Sequence, residues 1–282
     1  MNNFDIRLPA EWETQSSILL TWPHNNTDWK SQLSIVEHVY FKIAKAILAE
    51  QNLVISCEDG IQLKAVTKTL TIFAQRHNTQ LKAFIIPADD TWARDHGPIG
   101  IIENKEITLL DFNFNAWGNK YEANKDNNIT QNLFDSGAFP QLQHKKIDFI
   151  LEGGSIESDG LGTLLTTERC LLSNTRNGNL NKQEIEIQIK QTLGIKRVLW
   201  LKHGFLAGDD TDAHIDTLAR FCDSETICYV ACDDQNDEHF IELKTMKQEL
   251  ESFKTIEDEP YKLIPLPMAK AVYDIDEYGK KI

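Results

Sequence analysis

Apolar positions along the chain follow two alternating rhythms. Residues 17–22 (SILLTW) form a short apolar run stopped by Pro23, the signature of a buried strand. Residues 31–50 instead place Leu33, Val36, Tyr40, Ile43 and Ile47 three and four apart, which predicts a helix with one apolar face. A strand at 53–57 and a second helix with Leu63, Val66, Leu70 and Phe73 on its face come next, then a strand at 83–86 stopped by Pro87. Residues 99–102 and 107–112 read as a hairpin, and the polar, Asn-rich stretch 113–128 as a long loop of the kind that carries function. Strands are predicted at 147–151 and 164–172 around a Gly-rich turn, then a helix at 181–193 closed by Gly194. Further strands are predicted at 198–201, 215–221, 226–231 and 263–266, with a helix at 237–253. Strands alternating with helices give an α/β fold. No linker interrupts the pattern, so residues 1–282 read as a single domain.

Charge narrows the range of functions. Forty-three acidic against 29 basic residues leave a net charge of −14 over 282 residues. Such a surface repels phosphate backbones, which excludes nucleic acid as a partner and suits a small cation. No apolar run approaches the length of a membrane span, and the N-terminal MNNFDIRLPAEW lacks the apolar core of a signal peptide. Five cysteines (Cys57, Cys170, Cys222, Cys228, Cys232) are an odd number in a long chain and do not suggest a disulfide framework. A reducing, cytoplasmic location follows. None of the five has an evident Lys, His or helix N-terminus beside it to lower its pKa, so all read as structural thiols rather than nucleophiles.

Three stretches concentrate chemistry. Residues 89–98 (DDTWARDHGP) pack three carboxylates, an Arg, a His and a Trp directly after a strand, against the plainer reading of a capped polar turn. Residues 151–160 (LEGGSIESDG) place Glu152 before Gly153 and Gly154, which permit close backbone approach; a Gly-containing hairpin with an exposed Glu is the competing reading. In residues 208–221 (GDDTDAHIDTLARF), His214 and Asp216 would share one face of a strand, as suits a His acid/base beside an anchoring carboxylate. A surface strand, or a divalent-metal site built from Asp209, Asp210, Asp212, His214 and Asp216, fits the same stretch. Residues 88–91 (ADDT) are echoed at 208–211 (GDDT), with Glu152 near the midpoint, which hints at a repeated unit of about 60 residues and a radial array.

Together with PAEWE (9–13), TWPHN (21–25), FNAWGNKY (114–121) and TLLTTERCLL (163–172), these motifs make the sequence closely resemble the agmatine deiminase family, grouped with the bacterial-type peptidylarginine deiminases. The resemblance runs from about Leu8 to the end of the chain. It implies a pentein-type α/β propeller with fivefold pseudosymmetry. It implies hydrolysis of agmatine to N-carbamoylputrescine and ammonia, a step toward putrescine and other polyamines, with no metal or organic cofactor. In the implied site, Asp95 and Asp216 grip the guanidinium nitrogens, His214 shuttles protons, Glu152 orients and supports His214, and Trp92 and Trp117 wall the pocket. The family's nucleophile is a Cys in a Gly-rich His-Cys segment near the C-terminus, and no Cys follows Cys232 here. The expectation is therefore a C-terminally truncated chain, its last propeller unit incomplete, that holds substrate but turns it over negligibly. Alternatives left open are a peptidylarginine or arginine deiminase, a metal-dependent hydrolase, and a non-catalytic guanidinium-binding protein. Self-association into a homo-oligomer is also left open.

Overall fold

The computed structural model describes residues 6–273. The expected incomplete end, residues 274–282, lies outside them. Strand β1 (Ile6–Arg7) is followed by a parallel sheet of β2 (Ser17–Thr21), β3 (Asn52–Cys57) and β4 (Leu81–Ile85), crossed over by helices α1 (Leu33–Leu48) and α2 (Gly60–Arg76). Asp59 caps α2 by accepting from the Gln62 N–H at 2.8 Å. Trp22, Leu53 and Ile55 meet Val66 and Leu70 in the core of this unit. The apolar face of α1 is rotated from the expected one. Ala44 and Leu48 are buried and Tyr40, Phe41 and Ile47 pack beside them, while Ile43 is 40% exposed. Two overlapping stripes satisfy the same three–four spacing, and the one with the small Ala44 lets the helix approach its sheet.

After β4 the chain makes one helical turn, α3 (Ala93–His96), and enters a second sheet. There β5 (Ile99–Glu103) runs antiparallel to β6 (Glu106–Asn113), and β7 (Gln143–Ile150) runs parallel to β6, with β1 on the outer edge of β5. The stretch between β6 and β7 holds a short left-handed turn, α4 (Ala116–Asn119), and helix α5 (Ile129–Asp135), which the polar sequence did not announce. A 3-10 turn (Gly153–Ser155) leads to the third sheet, β8 (Glu157–Ser158), β9 (Thr163–Thr167) and β10 (Arg197–Leu201). Its crossover carries α6 (Glu168–Leu171) and α7 (Lys182–Leu193); α7 has an Asn181/Glu184 capping box and a left-handed Gly194 at its end. A last single turn, α8 (Ile215–Leu218), leads to β11 (Ala219–Phe221), β12 (Thr226–Ala231), helix α9 (Phe240–Ser252) and β13 (Lys262–Pro267).

Three sheets thus share one topology, an antiparallel hairpin whose second strand pairs in parallel with a third. The chain passes from sheet to sheet through α3, the 153–155 turn and α8, and these three turns pack on one another. The architecture is mixed α/β, with four open sheets among the described residues. No helix of the described residues is long and apolar enough to cross a membrane.

Two predicted strands are shorter than expected, one ending early and one starting late. Residues 164–172 are extended only to Thr167, whose hydroxyl accepts from the Cys170 N–H at 3.2 Å and starts α6. Residues 215–221 are helical before they are extended, because the Thr217 hydroxyl donates to the His214 carbonyl at 2.9 Å and closes a turn.

Candidate active site

Two of the three connecting turns deliver polar side chains to one point, which the third turn supplies, and Glu152 lies across His214 from it. Asp95 lies in α3, Glu152 immediately precedes the 153–155 turn, and His214 and Asp216 stand at the start of α8. The point is the missing side chain of Gly154. A Cβ there would lie 2.5 Å from His214 Nδ1, 2.7 Å from Asp95 Oδ1 and 2.8 Å from Asp216 Oδ2. Gly153 is equally constrained, since its Cβ would collide with the Arg94 carbonyl oxygen. The Glu-Gly-Gly motif is therefore a packing requirement, and Glu152 is fully buried rather than an exposed hairpin residue.

Asp95 is held on both oxygens. Gly154 N–H donates to Oδ1 at 3.0 Å and Trp117 Nε1 donates to Oδ2 at 3.1 Å. Trp117 reaches it from the left-handed run Ala116–Asn119, where φ is +48°, +54°, +91° and +64° in turn. Gly118 is obligatory in that run, because a Cβ would strike Thr175. Burial pushes the Asp95 carboxyl pKa up, against the pull of the neighbouring His214 and the Trp117 and Gly154 donors. Asp216 is also raised by burial, opposed by His214, Arg94 and Arg220. Both arginines contact Glu11, so the PAEWE segment reaches the back of the site.

His214, 2% exposed, sits between two carboxylates: Nδ1 is 3.6 Å from Asp95 Oδ1, and Nε2 is 3.8 Å from Glu152 Oε2. Burial alone would depress its pKa, but Cys170, Glu152 and Asp95 together outweigh that and raise it to about 10. His214 and Asp216 do not share a strand face as the alternation suggested. They converge because α8 turns the backbone between them.

Two participants were missed in the sequence. Arg176 is buried and donates from Nε to both Glu152 oxygens at 2.9 Å, from Nη1 to Asp212 at 2.7 Å and from Nη2 to the Thr211 carbonyl at 2.9 Å. Burial would raise the Glu152 pKa, but His214 and Arg176 lower it below the usual range. Arg176 lies in SNTRNGN, a turn-rich stretch with no periodicity to point inward. The second is Cys170, expected to lack any His neighbour; it lies beside His214, with Sγ 4.0 Å from Glu152 Oε2. Burial raises its thiol pKa, which keeps it from acting as a ready nucleophile.

Trp92 is 42% exposed, its Nε1 donating to Asp90, and its ring stands edge-on to Trp117 at 6.3 Å. Tyr121 meets Trp117 at 5.9 Å and donates to Asp210 at 2.7 Å. The Tyr121 phenol pKa is raised by Asp210 first, then by burial and by the charges of Asp28 and Asp90.

The alternative metal site around residues 209–216 is not assembled. Asp209 accepts from Thr211 and Ala213 N–H groups, Asp210 from Tyr121, and Asp212 from Lys120 and Arg176. Among the described residues, only Glu152, Cys170 and His214 bring three ligand atoms within 4.8 Å of one another. The cluster around Gly154 can do two things: hold a planar cation with several N–H donors between Asp95 and Asp216, and move a proton at His214.

A family model for Porphyromonas-type peptidyl-arginine deiminases matches residues 7–280. The chain is 28% identical over 278 residues to an agmatine deiminase of Pseudomonas aeruginosa (strain LESB58), covering 96% of this chain and 73% of that one. Among solved structures it is similar to a provisionally assigned arginine deiminase from Porphyromonas gingivalis (TM-score 0.88, 45% identity, 95% of this chain and 78% of that chain). It is also similar to a substrate-bound agmatine deiminase variant from C. jejuni (TM-score 0.87, 36% identity, 97% of this chain and 77% of that chain).

Proposed function

The chain belongs to the Porphyromonas-type peptidyl-arginine deiminase family, and from that premise we propose that it is a C–N hydrolase of the agmatine deiminase type, acting on the guanidinium group of agmatine. The observation that carries this reading is the convergence of Asp95, Asp216 and His214 on the side-chain-free Gly154. A guanidinium seated beside these groups turns its N–H donors to two carboxylates.

The chemistry follows from the arrangement. Asp95 and Asp216 fix the guanidinium plane, leaving its central carbon open to the thiolate that the family resemblance places in a His-Cys segment, which is not among these 282 residues. Attack forms the C–S bond. His214, protonated at rest, gives its proton to the departing nitrogen as ammonia leaves. The same imidazole then takes a proton from water, which attacks the carbon and breaks the C–S bond, releasing N-carbamoylputrescine and the thiol. Glu152, kept ionised by Arg176, supports the imidazolium. Cys170 stands on the Glu152 side of His214 with a raised pKa, so we assign it no nucleophilic role. On this reading the 282-residue chain binds agmatine and releases no ammonia from it.

The mouth favours agmatine over arginine. Asp210 accepts from Tyr121 and Asp90 from Trp92, and these carboxylates attract a primary ammonium and repel an α-carboxylate. The likeness to the P. gingivalis structure supports arginine as the second reading. The same proposal extends to the fold. Three strand triplets of one topology, handed on through turns that meet at the site, support a fivefold pseudosymmetric propeller in one domain. We place the protein in the cytoplasm.

Calorimetric titration tests the function. Agmatine should bind and putrescine, which lacks the guanidinium, should not; Asp95→Ala should abolish the heat, and no ammonia should be released. Equal binding of putrescine, or agmatine affinity that survives Asp95→Ala, would overturn the assignment. Tighter binding of arginine than agmatine would replace it with the second reading.

A further inference from the structure

Cys170 takes no part in the proposed chemistry, and its thiol lies beside the His214 nitrogen that faces Glu152. His214 Nε2 is buried and has no hydrogen-bond partner among the described residues. It faces a gap edged by Glu152 Oε2 at 3.8 Å and by the Cys170 thiol, itself 4.0 Å from the same oxygen. All three side chains are buried, and their ligand atoms lie within 4.8 Å of one another. A borderline-soft divalent ion bonded at about 2.0–2.3 Å holds its ligand atoms roughly 3.3–3.7 Å apart, so closure needs the 3.8 and 4.0 Å pairs to tighten by a few tenths of an ångström and the Cys170–His214 pair, within 4.8 Å, by up to about 1 Å.

The donor set selects the ion. Thiolate, imidazole and one carboxylate oxygen suit Zn²⁺ and disfavour Mg²⁺ and Ca²⁺, which require oxygen ligands. The supporting contacts that metal ligands usually have are present. Asp95 Oδ1 lies 3.6 Å from His214 Nδ1, so its charge favours a proton on that nitrogen and leaves the Nε2 lone pair for the ion. Arg176 Nε donates to both Glu152 oxygens, fixing the plane of that carboxylate.

We propose that Cys170, His214 and Glu152 form an inhibitory Zn²⁺ site, in which the ion ties up the imidazole that the hydrolytic reaction needs. Binding displaces the Cys170 thiol proton and any proton on His214 Nε2 into solvent, with no change of oxidation state. The inhibition rests on the deiminase reading above; the metal site itself does not.

The test uses the 282-residue chain in a Cys222→Ser background, which removes the exposed thiol nearest Cys228. Equilibrium dialysis against Zn²⁺ should give one bound ion per chain. Co²⁺ in its place should show a thiolate-to-cobalt charge-transfer band. Cys170→Ala and, with less change in volume, Cys170→Ser should each weaken Zn²⁺ binding at least tenfold and abolish the band. Unchanged Zn²⁺ affinity in a folded Cys170→Ser chain, or a Co²⁺ spectrum without the band, would overturn the site. With the site present, saturating Zn²⁺ should change the heat of agmatine binding in the Cys222→Ser chain but not in its Cys170→Ser derivative. Zn²⁺ capture without any effect on agmatine would retain the metal site and refute the inhibition.

Discussion

Gly154→Ala puts one methyl group where Asp95, Asp216 and His214 meet. The new carbon starts 2.5, 2.7 and 2.8 Å from their polar atoms. Ordinary contact begins near 3.4 Å, so each group must retreat by about 0.6–0.9 Å. A guanidinium then loses good geometry to both carboxylates. With charge-assisted hydrogen bonds contributing about 1.5–3 kcal/mol each, loss of two weakens agmatine by at least about 3 kcal/mol, or more than 100-fold in Kd. The fold should tolerate the change. The φ of Gly154 is outside the left-handed region, so the backbone accepts alanine, and the clashing atoms end movable side chains. Overpacking costs about 1–3 kcal/mol and the stiffer unfolded chain returns about 0.4–1 kcal/mol. Gly153→Ala is the contrast, because its methyl meets the Arg94 backbone carbonyl and should destabilise the fold itself. Agmatine calorimetry and urea unfolding on both variants separate the two effects. Near-wild-type agmatine affinity in a folded Gly154→Ala chain would refute the convergence argument.

Other consequences are equally specific. Trp117→Phe removes the indole donor to Asp95 and should weaken agmatine by about 1–1.5 kcal/mol, roughly tenfold in the same titration, with little change in urea midpoint. Arg176→Met leaves the buried Glu152 without its guanidinium and should cost about 3–5 kcal/mol in urea unfolding; a cost below 1 kcal/mol would show that the pair matters little. His96 is held neutral by burial, its pKa pushed down to about 3, with its Nε2 on the Thr21 hydroxyl. A depressed pKa gives stability that is complete above the unfolded value of 6.5 and is lost as pH falls toward 3. The wild type should lose about 2 kcal/mol between pH 7 and pH 5 from this residue, and His96→Gln should lose that much less.

The periodic elements were legible because burial repeats at the period of the backbone. The pairs 99–102 with 107–112, and the cap and terminator of α7, needed no distant information. What failed were the places where a side chain redirects the backbone. The alternation of His214, Asp216 and Leu218 suggested a strand, but the Thr217 hydroxyl closes a turn on the His214 carbonyl. The face of α1 was misplaced because two stripes met the same spacing and only the facing sheet decides between them. Asp95, Glu152, His214 and Asp216 lie in the three motifs that stand out in the sequence, with Asp95 set apart from Asp89 and Asp90 only by the family resemblance, and the structure brings the four together. Arg176 and Cys170 could not, since their meaning lies in contacts with Glu152 from a different loop and a different sheet. The left-handed presentation of Trp117 was hidden for a related reason: three of the four residues in that run are not glycine.

The central claim is geometric, and crystals of the chain soaked in agmatine test it most directly. The guanidinium should appear over Gly154, its nitrogens within hydrogen-bond distance of both Asp95 and Asp216, with the ammonium end toward Asp90 and Asp210. Agmatine ordered elsewhere, or oriented with its ammonium on Asp95 and its guanidinium at the mouth, would contradict the account.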